Sequence, residues 1–331
     1  MAVIKASALR PGDVIGIVAP ASPPRSAERV ERSVRYFERL GYRVEVGKHL
    51  TPIQATLSGK SDRAQTQLND YLAASDKDRV SDLHAMFRAK RVKAMFYHRG
   101  GYGSIRLLDR IDYDLIRQNP KIIVGYSDAT SLFAALNKKA GLASCFFGPM
   151  PGVDLWDDVD PFAEENFWRA MTSTKPIGNL PMAESEGASV NMVKSVVEGR
   201  MIGGNLTVFC SLMGTPYQPS FRNAIPFLEE IDEKPRRVDA HFAHLRLAGL
   251  WSQSKAVLLG QFTNCNVDAD APTRTLNEIL IDYFGTLKIP VVSGLPFGHE
   301  ARKWTLPWGA KLRVAQRKGR NVISVLDSAL E

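Results

Sequence analysis

The chain has 331 residues, 44% hydrophobic and 24% charged, a balance that excludes a disordered or collagen-like chain. No apolar run approaches the roughly 18 residues a transmembrane helix needs. Arg10, Pro11, Gly12 and Asp13 break the start before a secretory signal can form, so the expected compartment is the cytoplasm, with no membrane partner. Lys and Arg outnumber Asp and Glu by 43 to 35, a net charge of +8, but the charges are dispersed as on a solvated surface; no nucleic-acid partner is expected.

At roughly 150 residues per domain, the length suggests two domains. Val14 to Ala19 reads as a buried strand, and Ser26 caps a helix whose apolar positions Val30, Val34, Phe37 and Leu40 keep helical spacing until Gly41. Arg43–Val46 is the next strand. Helical stretches follow around Ala64–Ala74 and Arg79–Lys90, then a strand over Val92–Tyr97 with a glycine-rich loop behind it. Ile122–Gly125 is a strand running straight into a helix over Asp128–Ala140, and Leu142–Phe147 closes the series. Strands alternating with helices predict βαβ units and a mostly parallel sheet over residues 1–150.

From 149 to 190 the chain turns rich in Pro, Asp, Glu and Ser, the texture of a linker (151–190), helical only around Phe162–Met171. A second, smaller and more β-rich α/β domain is expected over 191–331. Its strands are at Ile225–Leu228, Ala256–Phe262, Pro290–Ser293 and Leu312–Val314, and its helices at Leu206–Met213, Val238–Leu247 and Thr273–Phe284. A cleft between two such domains is where a ligand is expected.

Four segments carry residue types suited to chemistry. In KIIVGYSDATSLFAAL (121–136) a buried strand ends at Gly125-Tyr126-Ser127-Asp128 and a helix begins at once. A sharp strand-to-helix turn of this kind exposes one side chain above the sheet, a serine in hydrolases with a nucleophile elbow. Position 129 is Ala where that motif has Gly, and Ser127 also reads as a simple helix cap. The loop Arg99-Gly100-Gly101-Tyr102-Gly103-Ser104 is neither a P-loop nor GxGxxG; phosphate cradle, oxyanion hole and plain turn all remain open for it. A nucleophilic serine needs a base oriented by a carboxylate. His299 leaves the strand IPVVSG at its carboxyl end, on the same side as Ser127. Glu229 stands at the tip of the apolar strand IPFLEEIDE, either paired in a buried site or solvated in a loop. His98, beside the glycine loop, is a weaker rival base, and His49 and His84 read as surface residues. His241 and His244, three apart on a helix, have metal-ligand spacing but no third ligand in any motif. Cys145, Cys210 and Cys265 form no CxxC pair and read as buried, reduced thiols.

Together these pieces resemble the serine LD-carboxypeptidases (muramoyltetrapeptide carboxypeptidases), with the related microcin immunity peptidases. Six ordered blocks carry the resemblance: RPGDVIGIVAPASP, RGGYGSIRLLDRIDYDLI, KIIVGYSDATSL, IGGNLTVFCSLMGTPYQP, IPFLEEIDE and GLPFGHEARKWTLPWGAKL. The resemblance implies a flavodoxin-like N-terminal domain joined to the smaller C-terminal one, with the active site between them. It implies Ser127 as nucleophile, Glu229 as carboxylate and His299 as base, with an oxyanion hole from the backbone N–H groups of Asp128 and Gly101. It also implies a cytoplasmic homodimer that needs no metal or other cofactor and releases D-alanine from a murein tetrapeptide during peptidoglycan recycling. The chain departs from the family pattern at Phe147-Gly148-Pro149, where members often carry His-Gly-Pro, and in the linker around Trp156. A substrate carboxylate calls for a bidentate donor, and Arg99 and Arg302 flank the loops in question. Two rival functions share these residues. One is an immunity peptidase cleaving an aminoacyl-nucleotide conjugate, with Trp156 stacked on the base; the other is a non-catalytic nucleotide or flavin module.

Overall fold

The computed structural model describes residues 3–50, 71–191, 193, 195–266 and 274–331. Two sheets organise them. The first has the order β12-β5-β4-β3-β1-β2. Its strands β1 (Val14–Val18), β2 (Arg43–Val46), β3 (Val92–Tyr97), β4 (Ile122–Gly125) and β5 (Cys145–Phe147) are all parallel. Strands β1, β4 and β5 are buried along their whole length and β3 at every residue but Lys93, as a parallel sheet covered on both faces requires. The order 2-1-3-4-5 is the flavodoxin-like one, with its switch point between β1 and β3, and the loops that follow β1, β3 and β4 all leave from the carboxyl edge of the sheet, the usual side for a ligand.

The helices obey local rules. Helix α1 (Ala27–Arg39) begins where the Ser26 hydroxyl accepts the Arg29 N–H. Helix α2 (Asp76–Arg88) is capped by Ser75, and α3 (Tyr113–Gln118) by Asp112. Helix α4 (Ala129–Ala135) leaves β4 through Tyr126, Ser127 and Asp128, and widens into a π turn over Leu136–Ala140 before Gly141, at φ 74°, ends it. The helix α5 (Pro161–Thr172), capped by Asp160, is the ordered core of the linker.

The second sheet has the order β6-β14-β13-β8-β9-β10-β11-β7. Strands β8 (Val197–Asn205), β9 (Ala224–Ile231), β10 (Val257–Thr263) and β11 (Val291–Ser293) run parallel. The hairpin of β13 (Lys311–Arg317) and β14 (Arg320–Val325), with the two-residue strands β6 (Gly178–Asn179) and β7 (Ala188–Ser189), completes it in antiparallel fashion. Helices α6 (Leu206–Cys210), α7 (Pro235–Leu247), α8 (Leu250–Gln253) and α9 (Leu276–Phe284) connect its strands. Strand β12 (Leu306–Pro307) crosses back to pair antiparallel with β5 on the edge of the first sheet. One core runs across the seam: Phe147 meets Phe227 edge to face at 5.4 Å, and Phe227 meets Phe297 at 5.7 Å.

The expected strands and helices recur with shifts of a few residues, and the fold is the two-part α/β architecture anticipated. The stretch Ala64–Ala74 lies mostly outside the described residues, as does Thr273. Strand β8 was not anticipated, because three glycines interrupt its apolar run; nor was β14, where Arg320 and Asn321 blur the pattern. No helix among the described residues is long and apolar enough to cross a membrane.

Candidate active site

The turn after β4 places Ser127 at φ 60°, in the left-handed region that costs a non-glycine residue about 1–2 kcal/mol. Strain of this kind holds the side chain out of the strand-to-helix line. The turn closes because Gly125 has no side chain: a Cβ there would sit 3.0 Å from the Ala129 Cβ and 3.1 Å from that of Tyr97. Ala129 is thus accommodated where an elbow motif has glycine. The glycine loop after β3 lies directly against the serine. A Cβ on Gly100 would be 3.0 Å from the Ser127 Cβ, 3.2 Å from its Oγ and 3.6 Å from the Asp128 nitrogen.

Asp128 fixes that loop. Its buried carboxylate accepts the N–H groups of Gly103 (3.2 Å) and Ser104 (2.8 Å). Burial pushes this carboxyl above the usual carboxylate range, against the pull of those bonds. Among the described residues, the backbone N–H groups of Asp128 and Gly101 donate no hydrogen bond, so both remain available to a ligand oxygen.

From the second sheet, Glu229 on β9 is fully buried, and its Oε2 lies 2.7 Å from His299 Nδ1. Its Oε1 has no partner among the described residues. A buried carboxylate paired on only one oxygen costs stability, and groups held at such a cost cluster at functional sites. The His299 loop is pinned by Gln261, whose amide donates to the Arg302 carbonyl (2.9 Å) and accepts the Glu300 N–H (3.0 Å). Trp304 Nε1 ties the same loop to the Pro181 carbonyl at 2.7 Å. The imidazole meets the Tyr126 ring edge on, centroids 5.1 Å apart. The residue preceding Ser127 therefore touches His299. The Ser127 hydroxyl itself makes no hydrogen bond among the described residues; nucleophile–base bonds commonly tighten only in the substrate complex.

Glu230 points to the other face of β9. It accepts from Asn205 Nδ2 (2.7 Å), Thr207 N–H (2.9 Å) and Thr207 Oγ1 (2.6 Å), and burial pushes its carboxyl up. Thr207 also meets His241 Nε2 at 3.1 Å. This network supports the strand from behind. Among the described residues no cluster of His, Cys, Asp and Glu has the makings of a metal site.

His98 is fully buried, its ring nitrogens have no side-chain partner among the described residues, and burial lowers its pKa to about 4, with the Arg29 backbone opposing that shift and the Arg99 charge adding to it. It is sealed rather than poised as a base. His49 and His84, expected at the surface, are half-buried: His49 Nδ1 lies 2.8 Å from Asp82 Oδ1, and His84 Nε2 accepts the Asp112 N–H. All three cysteines are buried, and burial raises their thiols, Cys265 to about 11 and Cys210 to about 12. Phe147, the departure from the family pattern, is buried between Phe227 and Tyr126, whose ring centroid is 5.9 Å away.

The two candidate arginines differ. Arg302 is engaged, its Nε 2.7 Å from Glu186 Oε1 and its guanidinium 3.6 Å from the Phe162 ring centroid. Arg99 donates to the Pro23 carbonyl at 3.2 Å and pairs with no carboxylate among the described residues. Burial, then Arg25 and Arg29, pull its pKa down.

Comparison with known proteins covers both halves of the chain. The model of the LD-carboxypeptidase N-terminal domain matches residues 15–148 and that of the C-terminal domain residues 198–314. The chain is 33% identical over 308 residues to a protein named probable murein peptide carboxypeptidase from Bacillus subtilis strain 168, covering 93% of this chain and 90% of that one. Its fold matches the microcin C7 self-immunity protein, solved with aspartyl sulfamoyl adenosine, at a TM-score of 0.84 and 27% identity, over 99% of this chain and 100% of that one. A muramoyltetrapeptide carboxypeptidase from Oxalobacter formigenes matches at 0.78 and 28% identity, over 95% and 99%. With two domain models and a relative matched nearly end to end, the chain belongs to the LD-carboxypeptidase family and is a serine carboxypeptidase.

Proposed function

We propose that the protein is an LD-carboxypeptidase that removes the terminal D-alanine of a murein tetrapeptide through a Ser127–His299–Glu229 relay. The observation that carries this reading is the buried Glu229–His299 hydrogen bond, its imidazole edge-on against Tyr126, the residue before a serine held at positive φ. Residues 1–150 supply the nucleophile and 191–331 the base and its carboxylate, with the 151–190 linker between them. Ser127 Oγ attacks the scissile carbonyl while His299 Nε2 takes its proton, and Glu229 holds the Nδ1–H tautomer and stabilises the imidazolium. The oxyanion rests on the N–H groups of Asp128 and Gly101; one such donor is typically worth about 2.7–4 kcal/mol of barrier. His299 then protonates the leaving amine, and water resolves the acyl-enzyme by the same path. Arg99, paired with no carboxylate among the described residues, takes the substrate's terminal carboxylate, whereas Arg302 braces the His299 loop. The same reading places the enzyme in the cytoplasm as a homodimer acting in peptidoglycan recycling.

The substrate is tested by mass spectrometry on murein tetrapeptide, its C-terminal amide and an aminoacyl-nucleotide conjugate, each with wild type and Arg99→Ala. The tetrapeptide is expected to lose one D-alanine, unaffected by chelator. Arg99→Ala is expected to erase the preference for free acid over amide. Turnover of the conjugate alone selects the immunity-peptidase reading, and turnover of none sets aside both.

A further inference from the structure

Tyr126 joins the two halves of the site. Its backbone leads into Ser127, the edge of its ring meets His299, and Lys303 Nζ lies 4.1 Å from the ring centroid. Lys303 is only 1% exposed. A buried ammonium is costly without a partner, and Asp154 of the linker supplies one at 2.7 Å. Asp154 is itself fixed, its Oδ2 accepting the Met150 N–H at 2.9 Å. One buried ion pair therefore ties together the elbow, the linker and the His299 loop, three segments far apart in the chain. The reaction as derived above gives neither residue a part.

We propose that Lys303, held by Asp154, is a positioning residue for the reaction: it clamps Tyr126 so that Ser127 and His299 face each other, and its charge is balanced there by the linker. The proposal rests on the Ser127–His299 reading. It also makes the linker part of the catalytic geometry, since Asp154 lies on it.

The groups facing His299 are Glu229 from β9, Tyr126 from the elbow, Lys303 and Asp154 across that ring, and Glu300 beside it on its own loop. Glu230 lies on the far face of β9, and Arg25 acts on Tyr126 from the first domain. Asp154→Asn leaves an unbalanced ammonium near the imidazole, and Lys303→Met leaves an unbalanced carboxylate. The acidic limb of the kcat/KM pH profile is expected to move down with the first and up with the second, by roughly half to one pH unit each. The uncharged double variant Asp154→Asn/Lys303→Met, which keeps its fold if the single variants do not, is expected to return the limb to its wild-type position. It is also expected to lower kcat about tenfold while KM changes less than threefold. Limbs that stay still or move the same way in the single variants overturn the proposal, as does a double variant with wild-type kcat. Ser127→Ala is run beside them: full activity there rejects the underlying reading, whereas an inactive Ser127→Ala with unmoved limbs rejects only the clamp.

Discussion

Replacing Ser127 by alanine is expected to lower kcat by roughly 10⁴–10⁶-fold and leave the melting temperature unchanged. Removing the nucleophile abolishes the acyl-enzyme route and leaves only what binding and the oxyanion donors supply. Alanine keeps the backbone strain, because any side chain at φ 60° meets the same steric penalty. Glycine does not. Ser127→Gly is expected to be equally inactive but more stable, by about 0.5–1 kcal/mol once the added freedom of the unfolded chain is deducted from the relieved strain. For a chain of this length that is a rise of about 1–3 °C. Kinetics with thermal unfolding on the two variants checks both halves: activity depends on the hydroxyl, stability on the φ angle. Near-normal turnover in either variant rejects Ser127 as nucleophile, and equal melting temperatures reject the strain argument.

The second large effect belongs to Glu229. Glutamine is nearly the same size and keeps a polar contact with His299 Nδ1, but it lacks the charge that stabilises an imidazolium and can present an N–H that selects the wrong tautomer. Glu229→Gln is expected to lower kcat roughly 10²–10⁴-fold. The fold is expected to hold, or even gain stability, because Glu229 is completely buried with one oxygen unpartnered among the described residues, and glutamine removes a buried charge. A steady-state assay together with denaturant unfolding separates these effects. A variant that loses stability and activity together points instead to a purely structural carboxylate.

Much of this arrangement was legible in the residues. Apolar runs bounded by polar turns placed β3 and β4 to the residue, and Ser26 before a helical pattern located α1, because burial and capping leave local traces. Glu229 and Glu230 alternate along an apolar strand, so a strand period of two assigned them to opposite faces; one meets His299 and the other Asn205 and Thr207. What stayed hidden depends on distant partners. Lys303 and Asp154 are 149 positions apart, and nothing near either residue marks it as buried. Arg302 flanks the catalytic loop just as Arg99 does, and only its contact with Glu186 separates their roles. The two-residue strands β6, β7 and β12 exist because neighbouring strands offer them hydrogen bonds, not because their sequences favour extended structure.

The account turns on Ser127 receiving the acyl group with help from His299. The most direct measurement is acid-quenched intact mass and peptide mapping of the enzyme treated with a serine-reactive phosphonate ester of the substrate's scissile unit. A single adduct is expected on the peptide containing Ser127, forming at least a hundredfold more slowly in His299→Ala and absent from Ser127→Ala. An adduct mapped to any other residue, or one that forms at the same rate without His299, would contradict it.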